Sequence, residues 1–368
     1  QVWGARPALA LYSLICSAAT GVLAIGRGFP AIFGARMGIG LGQAGIFPCT
    51  TATLKHWFPP TQLAIASGWI TTMMQVGAIV AAFLTGLLAD PERLGWRWTF
   101  ALFAAPGFIW SAWFYIWFRD RPADHPSVNA AELELLQNGS DELDSKAPGA
   151  PPERAPPVPW KQLLMSPALG FLCAAQMFRG AGYSFYSNWF TTYLREGLHV
   201  EGLAEAGFLT TLPVFATALG SIVGGWLSDF VLQRTNSRRL SRQWLSAASQ
   251  FACALIVLAA SQVSSAWVAV TIISAASFCA AIAGPIAYAV TIEGGGRHVP
   301  TVFGLMNMWG NIGAFAFPHA VAGLIGDASH ADWNLVIFLF AGIYLASAVC
   351  WIAFNAERKI IDNGERGA

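Results

Sequence analysis

Charge is scarce in this sequence: 21 Lys and Arg against 20 Asp and Glu make up only 11% of 368 residues, whereas ordinary soluble domains carry about 25%. The net charge of +1 offers neither a basic face for nucleic acid nor an acidic tail. Six cysteines, at 16, 49, 173, 253, 279 and 350, all lie in apolar stretches without a CxxC spacing. That excludes a thiolate metal site or a redox pair of the usual form, and they read as small hydrophobes. No HExxH and no GxSxG occurs, so neither a zinc pair nor an activated serine is on offer, and an enzyme is not expected. The residues call for no cofactor and no metal. A charged n-region with a short apolar core and a cleavage site is also lacking, and the chain opens on Gln1, so the natural start is expected further upstream.

What is abundant is apolar: 55% of the residues are hydrophobic. A membrane-crossing helix needs roughly 20 mostly apolar residues, because the hydrocarbon is about 30 Å thick. Ten segments qualify: 7–26, 31–54, 63–88, 98–118, 168–194, 206–232, 243–261, 267–292, 302–325 and 333–355. A soluble bundle cannot place ten such helices at its centre; lipid is the solvent that tolerates them. The sequence therefore predicts an all-α polytopic membrane protein in contact with the lipid bilayer.

Residues 119–164 break the pattern, being charged and then Pro-rich at 147–159, and read as a water-exposed linker holding a short helix near 130–137. It divides the chain into 1–118 with four spans, the linker, 165–356 with six spans, and a tail at 357–368. Cations mark the linker side: Arg6, Lys55, Arg119, Arg121 and the run Arg234, Arg238, Arg239, Arg242 outweigh Arg27, Arg93, Arg97 and Arg195 opposite. By the positive-inside rule, the linker and both termini are cytoplasmic, in the cell (inner) membrane. The acceptor-like triplet at 138–140 then lies on the wrong side for glycosylation.

A repeat is visible. GLLAD at 86–90 closes the third span, with Trp96 six residues after its Asp; GLIGD at 323–327 closes the ninth, with Trp333 six residues on. The period is six spans, so two six-span halves make twelve, and the first two are expected to be missing here. GWLSD at 225–229, followed by the cationic run, joins spans six and seven, and its repeat mate falls just before the first span present.

These features resemble the major facilitator superfamily. RMGIGLGQAGIFP at 36–48, HWFP at 56–59, GWRWTF at 95–100 and GLMNMWGNIG at 304–313 ending in Pro318 resemble, within it, the anion:cation symporter family of hexuronate and aldonate transporters, sialin and the vesicular glutamate transporters. The resemblance spans nearly the whole chain and implies the major facilitator fold, with about ten of its twelve helices. It also implies secondary active symport of a small organic anion with proton or sodium, by a monomer whose two halves alternate in access about a site between them.

Arg179 lies within the fifth span, where a cation costs at least ~2.5–3.5 kcal/mol at the membrane centre unless a polar cavity or an anion meets it. Gln176, Arg179, Tyr183 and Tyr186 follow i, i+3, i+7, i+10 spacing and form one stripe, the expected substrate site. A guanidinium fork suits a carboxylate, and tyrosine hydroxyls orient the remainder. The resemblance supports the arginine, since the vesicular glutamate transporters carry one at this position. The plainer alternative is an arginine snorkelling near a helix end. Arg36 and Gln43, seven apart, share a face of the second span, where Gly34, Gly38 and Gly42 allow close helix approach. Relatives usually place a proton-sensing glutamate at position 43, so Gln43 argues against proton coupling there. Asn307 and Asn311 lie one turn apart in the ninth span, as cavity lining or helix-bridging amides. His319 is a proton-relay candidate, more readily a packing residue. Glu293, Asp229 and Asp90 sit at span ends, as gate or coupling partners for Arg297, Arg93 or the Arg238 cluster. A substrate sensor and an inert fragment are the rival readings.

Overall fold

A computed structural model of the chain describes residues 4–88, 94–138, 157–263, 265–325, 333–357 and 360. Among these residues every regular element is helical. The long helices are α1 (Ala5–Ile25), α2 (Gly28–Trp57), α3 (Leu63–Leu88) and α4 (Gly95–Trp117). The linker holds α5 (Ala130–Asn138), as the sequence predicts, and α6 (Trp160–Leu164) precedes α7 (Pro167–Asn188) and the single turn α8 (Phe190–Thr192). Then follow α9 (Leu203–Thr235), α10 (Leu245–Ala260), α11 (Ala266–Gly294), α12 (Val299–Ile325) and α13 (Trp333–Ala353). Each apolar segment read from the sequence coincides with one long helix. Seven of these, α1, α3, α4, α9, α10, α11 and α13, are long and apolar enough to cross a membrane by length and composition. The other three, α2, α7 and α12, carry the polar residues singled out above: Arg36 and Gln43, Gln176 and Arg179, Asn307 and Asn311.

Local chemistry explains where helices begin and end. Ser166 caps α7 by accepting from the Leu169 amide, and Pro167 occupies the first turn, where no amide is needed. Asn236, at φ 48°, closes α9 in the left-handed conformation that asparagine tolerates. Prolines lie inside α2, α4, α9, α11 and α12, and each leaves the carbonyl four residues earlier without its helical donor; for Pro318 that carbonyl is Ala314's, which accepts from Ser184 Oγ of α7 at 2.9 Å. Large apolar side chains such as Ile109, Ile116, Phe338 and Val349 are left on the outside, an arrangement suited to acyl chains rather than water.

The helices form two compact units: 1–60 with 78–158 and 297–304, and 61–77 with 159–296 and 305–368. The division follows packing rather than chain order, since α3 and α12 are each shared. In the first unit, α1 packs on α2 and α4. A Cβ on Gly45 would fall 1.9 Å from the Tyr12 ring and one on Gly42 2.5 Å from Cys16 Sγ, so this face of α2 lies directly on α1. Gly34, expected to belong to the same seam, meets nothing; the contact runs through Gly38, Gly42 and Gly45 instead. The start of the linker folds back here, with His125 edge-on to Trp57 and Trp117 at 5.6 and 4.9 Å.

In the second unit, α9 packs on α11, and α10 on α11 and α13. Its core is an aromatic cluster of Phe185, Tyr186, Phe190, Tyr193, Phe317, Phe340 and Tyr344. The first half of α3 lies on α9, where Thr72 Oγ1 donates to the Ala218 carbonyl at 3.0 Å. A close crossing joins α7 to α12. A Cβ on Gly180 would sit 2.1 Å from the Gly310 carbonyl oxygen, and one on Gly313 1.9 Å from that of Met177, so the two backbones touch only because neither position has a side chain.

Candidate functional site

The α7–α12 crossing fixes what the stripe on α7 faces. Arg179, past the middle of α7, is half-buried, and its Nε donates to Gln176 Oε1 one turn earlier. Gln176 is 3% exposed. The guanidinium turns inward: Nη1 lies 3.9 Å from where a Cβ on Gly284 of α11 would stand. None of the ion pairs among the described residues involves Arg179. A half-buried cation in an apolar bundle is costly unless a polar surround or an anion meets it.

Tyr183 extends this surface. Its hydroxyl donates to Gln75 Oε1 of α3 at 3.3 Å. Gln75 is 2% exposed, and its Nε2 has no partner among the described residues. A buried amide donor left open is costly unless something outside the protein accepts from it. Gln75 escaped the sequence reading because a lone glutamine in an apolar span is ordinary; only the placement of α3 brings it to Tyr183. Tyr186, grouped with the stripe from its spacing, is instead buried in the aromatic core, 5.6 Å from Phe340 and 5.9 Å from Phe190 by ring centroids. At 100° per residue, Tyr186 is turned about 80° from Gln176, and the aromatic neighbours take it.

The remaining candidates fall elsewhere. Asn307 is half-buried and Asn311 exposed, and Asn311 donates its amide to the Asn307 carbonyl at 3.0 Å. His319 is exposed, bonded through Nδ1 to the Phe315 carbonyl at 2.9 Å and resting on the Phe315 ring. In the other unit, Arg36 and Gln43 are both exposed on one face of α2. That face is turned away from the glycine seam, since 36 and 43 lie about 100–160° around the helix from 38 and 42. Asp90 lies outside the described residues.

A second polar centre closes the other end of the α9–α11 pair. Arg242, with 0% side-chain exposure, pairs with Asp229 at 2.9 Å and with Glu293 at 2.7 Å, and donates to Ser228 Oγ at 2.6 Å. Asp229 also accepts from the Ile65 amide of α3 at 2.8 Å. Arg238, half outside, reaches Glu293 at 3.8 Å. The two acids expected at span ends therefore meet over one arginine of the cationic run. The run was legible in the sequence; that one of its members is buried was not, because charges at a span end read as solvated.

Among the described residues ten long helices, seven of them long and apolar enough to cross a membrane, make an all-α polytopic bundle. The sequence pattern of the Major Facilitator Superfamily matches residues 1–318, and the chain belongs to that superfamily. It is 27% identical over 335 residues to the "Probable galactarate/D-glucarate transporter GudP" of Bacillus subtilis, covering 89% of this chain and 71% of that protein. It is 30% identical over 232 residues to the D-galactonate transporter of an Escherichia coli O6:H1 strain, covering 62% of this chain and 52% of that protein. The human organic anion transporter MFSD10 (TETRAN) has a similar structure, with a TM-score of 0.65 at 18% identity over 95% of this chain and 77% of that one. These relatives are transporters, not enzymes, and agree with the anion:cation symporter resemblance read from the sequence.

Proposed function

We propose that this chain is a secondary active transporter of small organic anions, with sugar acids as the favoured class, working by alternating access. The observation that carries the proposal is Arg179: an inward guanidinium within an apolar bundle, with no carboxylate paired to it among the described residues. Gln75 and Tyr183 add neutral donors and acceptors of the kind that suit a polyhydroxylated acid. The transporters of galactarate, glucarate and galactonate among its relatives point to the same chemistry. In this reading Arg179 holds the carboxylate, Gln75 and Tyr183 orient the hydroxyls, and Asn307 extends their polar wall, while Arg36 and Gln43 form a polar face of α2 within the other unit. Asp229, Glu293 and Arg242 form a lock that is closed in one conformation and released in the other. The coupling ion is a proton or sodium, and the protein acts as a monomer. The excess of cations on the linker side supports a cytoplasmic linker and cytoplasmic termini in an inner-membrane protein.

Uptake and counterflow of labelled D-galactonate and D-glucarate in vesicles containing the full-length protein test the proposal. Saturable uptake with counterflow is expected from the native protein, counterflow separating a carrier from a sensor. Arg179→Ala should abolish it, and Arg179→Lys should abolish most of it, because an ammonium cannot offer the two-pronged fork. Near-normal uptake in both variants would refute the site.

A further inference from the structure

Three helices meet at one sulfur. Met306 of α12 is 1% exposed, and its Sδ accepts a hydrogen bond from Gln176 Nε2 of α7 at 3.5 Å and another from Thr291 Oγ1 of α11 at 3.2 Å. The backbone contact of Gly180 with Gly310 and of Gly313 with Met177 brings α12 close enough for this. Gln176 in turn accepts from Arg179 Nε. A guanidinium on a long, flexible stem is a poor receptor unless its plane is fixed, since ordering it on binding costs affinity. With Nε engaged, the plane is set and the two Nη groups form the end-on pair that a carboxylate accepts from.

We infer that Met306 is a positioning residue for the anion site: its thioether sulfur holds the Gln176 amide, and Gln176 holds the Arg179 guanidinium in the orientation that receives the carboxylate. The inference rests on the reading of Arg179 as the anion receptor. It also gives Gln176, which the sequence places among residues touching substrate, a supporting part instead: both ends of its buried amide are engaged within the protein. Thr291 makes the node a link to α11, two residues before Glu293, and its single hydroxyl hydrogen can go either to the Met306 sulfur or to the Ala287 carbonyl at 2.8 Å, so it tolerates loss of the sulfur better than Gln176 does. A thioether is a weak acceptor; what matters here is that the Gln176 amide has no other acceptor among the described residues.

The test is uptake kinetics of D-galactonate and D-glucarate by the full-length protein in vesicles, comparing Met306→Leu, Met306→Gln, Gln176→Leu and the double variant Met306→Leu/Gln176→Leu. Leucine matches methionine in volume and keeps the packing, while glutamine restores an acceptor of similar reach. Met306→Leu is expected to raise KM about three- to tenfold with kcat within about twofold, the effect of one neutral hydrogen bond. Met306→Gln should return KM to within about twofold of native, and the double variant should be no worse than Gln176→Leu alone. A merely structural role would lower kcat or thermal stability and would not be rescued by glutamine. Unchanged KM in Met306→Leu, with uptake abolished by Arg179→Ala, would overturn this inference and leave the anion site standing. Uptake surviving Arg179→Ala, or no uptake of either acid by the native protein, would overturn the underlying reading and the inference with it.

Discussion

Replacing Arg242 with methionine probes the charge triad most severely. The guanidinium has no solvent exposure and faces two carboxylates at 2.9 and 2.7 Å, which are themselves nearly buried. Removing it leaves two negative charges beside each other, with Arg238, half in solvent and 3.8 Å from Glu293 alone, as a weak substitute. Breaking a buried pair by deleting one partner costs about 3–5 kcal/mol, whereas replacing all partners with neutral groups of similar volume is nearly neutral. Arg242→Met should therefore lower thermal stability in detergent markedly, and the triple variant with Asp229→Asn and Glu293→Gln should regain most of that loss. The triple variant should still transport poorly, because nothing is left to bias the lock toward one conformation. Intrinsic tryptophan fluorescence on heating, together with vesicle uptake, reads both effects. A triple variant as unstable as the single one would refute the electrostatic argument and reduce the cluster to packing. So would an Arg242→Met protein as stable as native.

Other expectations are as direct. Gln43→Glu places a titratable group on the exposed face of α2, so uptake measured from about pH 5 to 8 should become steeper with pH than in the native protein; equal steepness in both would remove the idea that Gln43 sets the pH response. Gly180→Leu must push α7 off the Gly310 backbone and should cost several kcal/mol or prevent folding. Gly170→Ala on the same helix, where nothing lies within 4 Å, should be neutral or stabilising by up to ~1 kcal/mol; thermal melts of the two check the crossing. Gln75→Leu removes a buried amide whose Nε2 has no partner among the described residues, so stability should hold or rise while KM for a sugar acid rises about three- to tenfold; unchanged KM would take Gln75 out of the site.

The large features were legible because lipid imposes them. Twenty-residue apolar runs and the linker that separates them are visible one residue at a time, and an arginine within such a run, Arg179, stands out on cost alone. Glycine seams were legible as a spacing but not in register: Gly34 proved idle and Gly45 did not, because only the neighbour's side chains decide which glycine is pressed. What escaped reading depends on which helices become neighbours. Gln75 and Met306 are unremarkable residue types on other helices, and they acquire meaning only from the placement of α3 and α12 against α7. Tyr186 was misleading in the opposite sense, since a spacing that puts it on one stripe with Arg179 says nothing of the aromatic residues on α13 that claim its ring.

The most direct test of the central claim is a structure of the full-length protein with D-galactonate or D-glucarate bound. The carboxylate should lie at about 2.7–2.9 Å from the Nη atoms of Arg179, with a substrate oxygen on Gln75 Nε2 and Gln176 still on Nε. A bound acid whose carboxylate is held elsewhere, with Arg179 left without an anion, would contradict the account.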